Sequence, residues 1–293
     1  MRQRALPPAR ELEPLRELEL LSPWFDASSP TQADQPALQG PRRWLLLLAP
    51  PRSGSFHLCR LLWQLGYGRP TEYLNPNPLY RASLSRFGRV GSRAWMRTLV
   101  AERSAASVFS GAPFFSLKLQ ARQERGNLVQ VLRRRFPSPR ADLNLGNDPP
   151  LLLLLRRRDW SAAVASLHFS RCTGAFDLGL VTTHQGLPIQ QLLDPAAIAG
   201  SIAEYRDHLG WLEQASRQLP PCHRLDLEDL VADQAGSLHR LVQALEPRIV
   251  VSGEDPRLAM RLQRDSSPFT AQRQQWLLRI RLEVERQTGV AGR

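Results

Sequence analysis

The sequence has little of several things, and each shortage narrows what the chain does. Cysteine occurs three times in 293 residues, at Cys59, Cys172 and Cys222. That is too few and too scattered for a disulfide framework or a paired-cysteine zinc site. The thiols are expected free in a reducing compartment, and the expected location is the cytoplasm. Long apolar runs are missing as well. The longest, residues 44–49 and 151–155, fall far short of the roughly 20 residues that a membrane helix needs, so no bilayer-spanning segment is expected. Residues 1–12 carry basic side chains with no continuous apolar segment behind them, which argues against a secretory signal. Lysine is the scarcest charge: Lys118 is the only one among 39 basic residues, the others being arginine.

What is present is an ordinary apolar fraction of 42%, enough to bury a sizeable core. Residues 1–40, rich in proline, read as a loosely ordered arm, and residues 41–293 as a single domain. A formal charge of +12 suits nucleic acid, an anionic membrane surface or a polyanionic small ligand. The positions of the arginines choose among these. They cluster at two expected strand ends, without interleaved aromatic residues, so nucleic acid is not expected.

From residue 44 onward, apolar runs of strand length alternate with segments of helical spacing, which is how a buried parallel sheet reads. The expected fold is α/β, a P-loop-like three-layer arrangement with a central parallel sheet flanked by helices. Strands are expected at 44–49, 114–119, 151–155 and 223–227. Leu58, Leu61, Leu62 and Leu65 share one face of a first helix, closed by a turn at 66–70. Further helices are expected near 127–136, from Asp159 as N-cap to about 171, at 196–217, around 238–245, and centred on Trp276.

Between the first strand and its helix lies Pro50-Pro51-Arg52-Ser53-Gly54-Ser55-Phe56. The prolines stop the strand and Gly54 permits a turn that gathers backbone N–H groups. The helix start adds unpaired donors, and Arg52, Ser53 and Ser55 add charge and hydroxyls, so an anion is expected against residues 53–56. An ATP-binding loop shows G-x-x-x-x-G-K-[ST], and this loop has neither that glycine spacing nor the lysine. A nucleotide donor that needs no metal fits better.

Three stretches carry a family resemblance: Pro51-Arg52-Ser53-Gly54-Ser55, Leu58-Cys59-Arg60-Leu61-Leu62 and Gly68-Arg69-Pro70-Thr71-Glu72-Tyr73. Together they resemble the bacterial trehalose-type sulfotransferases. In that family the loop holds the 5′-phosphosulfate of 3′-phosphoadenosine-5′-phosphosulfate (PAPS), which makes PAPS the expected co-substrate, with no metal. The run Arg157-Arg158-Asp159-x-x-x-Ala163-Val164-Ala165-Ser166, then Thr173-Gly174, resembles the family's 3′-phosphate segment. Ser166 lies a helix rise of roughly 10 Å beyond Asp159, close enough for its hydroxyl and a long arginine to meet at one phosphate.

The resemblance further implies that Glu72 is the catalytic base and that Lys118, in Phe115-Ser116-Leu117-Lys118-Leu119, supports it. It implies a small-molecule acceptor, a sugar or glycolipid hydroxyl, and is compatible with a homodimer and with peripheral membrane contact. It runs from about residue 44 to 285. The chain departs from the family at Phe56 and His57, where a threonine and an aliphatic residue are usual. It departs again at Ala162, Phe176 and Leu227. Those departures keep open a catalytically inactive nucleotide or anion binder of the same fold. The strand-loop-helix start keeps open a P-loop phosphotransferase.

Overall fold

Leu45, Leu46, Leu47 and Leu48 are all fully buried, and a segment apolar at every position has to be covered on both faces. It forms β1 (Arg43–Leu48), the middle strand of a five-stranded sheet, where each buried leucine stabilises the fold by roughly 2 kcal/mol. The structure is a computed structural model that describes residues 42–74, 88–89, 92–120, 150–173, 192–218, 222–259 and 270–289. After β1 come α1 (Ser55–Gln64), α2 (Arg93–Arg103), β2 (Ala105–Ala106), β3 (Pro113–Leu119), β4 (Leu151–Arg156), α3 (Trp160–Thr173) and α4 (Pro195–Gln218). The chain continues through β5 (Cys222–Asp226), α5 (Leu227–Ala232), α6 (Gln234–Leu245), a short 3-10 turn at Pro256–Leu258, and α7 (Thr270–Thr288).

The strand order is β2-β3-β1-β4-β5, parallel except for the antiparallel pair of β2 and β3. Alternate side chains face opposite ways. Leu46, Leu48, Leu117 and Leu154 join Trp95, Leu99 and Leu212 of α2 and α4 in one apolar cluster. Leu45, Leu47, Leu153 and Leu155 join Leu58, Leu62, Leu241 and Val242 of α1 and α6 in another. Helices therefore cover both faces. A third cluster packs α3 against α4 and α7.

The chain leaves β1 for β3 on one side and β4 on the other, so the order reverses beside β1. In open α/β sheets that switch point, outside the carboxyl ends of the strands, is where ligands bind. The β1 loop, the end of β3 and the end of β4 all lie there.

The expected strands agree with the observed ones to within a residue or so at each end. The helix expected at 127–136 and the arm at 1–40 lie outside the described residues. Helix α2 was not expected: its apolar face, Trp95, Met96, Leu99 and Val100, spans only about two turns and continues into a buried arginine, Arg103. Ser92 caps it, accepting from Trp95 N at 3.1 Å. Among the described residues no helix is long and apolar enough to cross a membrane.

Candidate functional site

The β1 loop turns through two residues in the left-handed region, Arg52 at φ 62° and Gly54 at φ 75°. Ser53 is fully buried and its Oγ donates to Pro50 O at 2.8 Å, so this hydroxyl shapes the loop. Gly54 is the N-cap of α1 and, being glycine, has no side chain with which to cap the first turn. Leu227 covers the loop from the other side: a Cβ on Gly54 would meet its Cδ1 at 2.5 Å. Gly54→Ala is therefore expected to cost about 2 kcal/mol in chemical denaturation, from the left-handed backbone and the displaced leucine together.

Arg52 holds its unusual backbone because both its ends are tied down. Its carbonyl oxygen accepts from Arg157 NH1 at 3.0 Å, and its Nε donates to Ser166 Oγ at 2.9 Å. Two segments more than a hundred residues apart, each expected on its own grounds to meet an anion, thus touch. β4 runs parallel beside β1, with Leu154 opposite Leu48, and so delivers Arg157 to the loop. Asp159 caps α3 as expected, accepting from Ala162 N at 3.0 Å, and Ser166 follows two turns later.

Arg158 is placed differently. Its guanidinium meets Asp229 at 2.6 Å, Asp226 at 3.8 Å and Glu228 at 4.0 Å, and its side chain is 57% exposed. Glu228 also accepts from the backbone N–H groups of Arg158 and Asp159, both at 3.1 Å. Burial pushes the Glu228 carboxyl up, but those backbone donors, its own N–H and the Arg157 charge together outweigh it and hold the group below the usual carboxylate range. The N–H groups just ahead of α3 are therefore already occupied by the protein's own carboxylate. Of the arginine pair, Arg157 faces the loop and Arg158 faces the acidic start of α5.

Glu72 and Lys118 are brought together. Gly66 and Gly68, both near φ 78°, turn the chain back after α1, and a Cβ on Gly68 would lie 3.0 Å from Phe114 O and Ser116 N. That close approach sets the returning chain against β3, where Lys118 N donates to Thr71 O at 3.0 Å. Lys118 Nζ then lies 2.7 Å from Glu72 Oε1 as an ion pair, with side chains 1% and 10% exposed. The short contact lacks hydrogen-bond geometry, and Lys118 Nζ makes no hydrogen bond, whereas Gln120 Nε2 donates to the same Glu72 oxygen at 2.7 Å. The Phe56 ring lies 4.1 Å from the ammonium, in cation–π contact. Phe56 thus joins the β1 loop to the Glu72–Lys118 pair. Beneath them the Cys59 thiol is pushed up to about 12 by burial, with Lys118 pulling it down and Glu72 pushing it up.

Sequence reasoning missed two neighbours. Gln120 was detectable, since it follows Lys118 by two residues on a strand and shares its face. The Phe56 contact was not, because it depends on how α1 sits over β3. What results is a mostly parallel α/β protein with a strand-loop-helix turn and a buried carboxylate–ammonium pair at the switch point of its sheet. No model of a known protein family matches the chain, and no curated protein sequence matches it either.

Proposed function

We propose that the protein is a sulfotransferase that moves a sulfuryl group from PAPS to an acceptor hydroxyl, of a sugar or glycolipid. The observation that carries this reading is the meeting of Arg52 with Ser166, which brings together, at the carboxyl end of β1 and β4, the two segments that this reading assigns to the 5′-phosphosulfate and the 3′-phosphate. A donor with anions on both the 3′ and the 5′ oxygen of one ribose needs two basic sites a few ångströms apart. In the loop, Arg52, Ser55 and the backbone of residues 53–56 hold the 5′-phosphosulfate. Arg157 and Ser166 hold the 3′-phosphate, and Arg158 fixes the surrounding acidic turn.

Glu72 takes the proton of the acceptor hydroxyl, and the acceptor oxygen bonds to sulfur as the bond from sulfur to the bridging oxygen breaks. The electron pair leaves on the 5′-phosphate oxygen, and the Lys118 ammonium faces that growing charge. The products are a sulfate ester and 3′-phosphoadenosine-5′-phosphate, with the proton passing from Glu72 to water. Transfer of ³⁵S from labelled PAPS to a panel of trehalose, simple glycosides and glycolipids, in EDTA, tests this directly. A labelled ester is the expected result. Transfer of ³²P from γ-labelled ATP, lost in EDTA, would mark a phosphotransferase instead.

One observation favours a second reading, a nucleotide binder without transfer. The Phe56 ring occupies one face of the Lys118 ammonium where the family has a hydroxyl. Phe56→Thr separates the two: it raises the transfer rate of an enzyme and leaves a mere binder inactive.

A further inference from the structure

Tyr205 stands at 0% exposure in the middle of α4, and its hydroxyl has no hydrogen-bond partner. A buried hydroxyl left unpaired is costly, and the cost is unforced, because phenylalanine would fill the same space. The Arg157 Nε is likewise buried without a partner, while its NH1 donates to Arg52 O. Both groups are donors, and both are near one another electrically. Burial pushes the Tyr205 phenol above its ordinary range, the Arg157 guanidinium pulls it back, and Glu228 pushes it up.

Tyr205 lies in the apolar cluster that includes Ala163 and Val164, on the turn of α3 just before Ser166. Arg206, its neighbour, holds α4 to the start of α3 with its guanidinium 5.9 Å from the Trp160 ring. Glu228, the nearby carboxylate, is already bonded to two backbone N–H groups. Arg158, meanwhile, is engaged with Asp226, Glu228 and Asp229, which leaves a 3′-phosphate short of donors.

Resting on the sulfotransferase reading, we propose that Tyr205 donates its hydroxyl to the 3′-phosphate alongside Arg157. It thereby distinguishes a 3′-phosphorylated nucleotide from one with a free 3′-hydroxyl. Arg52 and Ser166, bonded to each other in this structure, part to admit the phosphate. The unpaired hydroxyl is then a recognition group held ready at some expense of stability, and its loss harms only the ligand that carries the extra phosphate.

The test is calorimetric titration of the full chain and of Tyr205→Phe, each with 3′-phosphoadenosine-5′-phosphate and with adenosine 5′-monophosphate, in EDTA. The variant is expected to bind the bisphosphate about tenfold more weakly or worse, to bind the monophosphate as wild type does, and to melt no lower than wild type. Equal weakening toward both nucleotides, no change toward either, or a lower melting temperature would make Tyr205 a packing residue and overturn the proposal alone. A wild type with no preference for the bisphosphate would instead sink the sulfotransferase reading, and this proposal with it.

Discussion

Glu72→Gln is expected to lower the rate of sulfuryl transfer by about 10²–10⁴-fold while leaving the affinity for 3′-phosphoadenosine-5′-phosphate within about twofold of wild type. The size follows from what the proposed mechanism loses, a base that takes a proton as the new bond forms, with Arg52, Arg157 and Ser166 left unchanged. Glutamine keeps the shape and an oxygen to receive the Gln120 amide, which wild type holds at 2.7 Å. Single-turnover kinetics with saturating donor measures the chemical step alone. A variant that keeps a tenth or more of the wild-type rate would remove Glu72 from the mechanism.

Lys118→Met is expected to destabilise the fold by about 3 kcal/mol, because it breaks a buried ion pair and leaves the Glu72 charge behind. The pair is enclosed, with side chains 1% and 10% exposed, so solvent screening weakens this little. Methionine fills the aliphatic volume and keeps contact with the Phe56 ring. The double variant Glu72→Gln, Lys118→Met removes both charges and is expected to recover more than half of the loss. Urea denaturation of the three variants closes the cycle. If the losses simply add, the two charges are not coupled and the pair has no structural role.

The two effects are linked by one geometry. The glycines at 66 and 68 return the chain against β3, which sets Glu72 beside Lys118, and α1 sets Phe56 over the ammonium. The same helix begins at the loop that Arg157 and Ser166 hold from the other side. A carboxylate, an ammonium and the two segments that carry Arg52 and Arg157 are thereby positioned by β1, β3 and β4, the three adjacent strands at the centre of the sheet.

Much of this was legible in the sequence, for local reasons. Runs such as Leu45 to Leu48 and Leu151 to Leu155 announce buried strands whatever surrounds them. The two prolines and Gly54 announce the loop, and Asp159 announces the start of α3. The fate of Arg158 was not legible, because its partners Asp226, Glu228 and Asp229 lie about 70 residues away and arrive only when β5 pairs with β4. Tyr205 was hidden for a different reason: on a long helix it reads as one more core aromatic, and only an unpaired buried hydroxyl sets it apart. Pairings across the sheet, which no local spacing encodes, decide which arginine faces the β1 loop.

The most direct test of the central claim is calorimetric titration of the wild-type chain with 3′-phosphoadenosine-5′-phosphate in EDTA, with ATP as the competing nucleotide and Arg52→Ala and Ser166→Ala alongside. The bisphosphate should bind without metal, clearly more tightly than ATP, and each variant should weaken it by about tenfold. If ATP binds as well or better, or if neither variant changes the affinity, the two basic segments do not form a site for a 3′,5′-bisphosphorylated nucleotide and the account is contradicted.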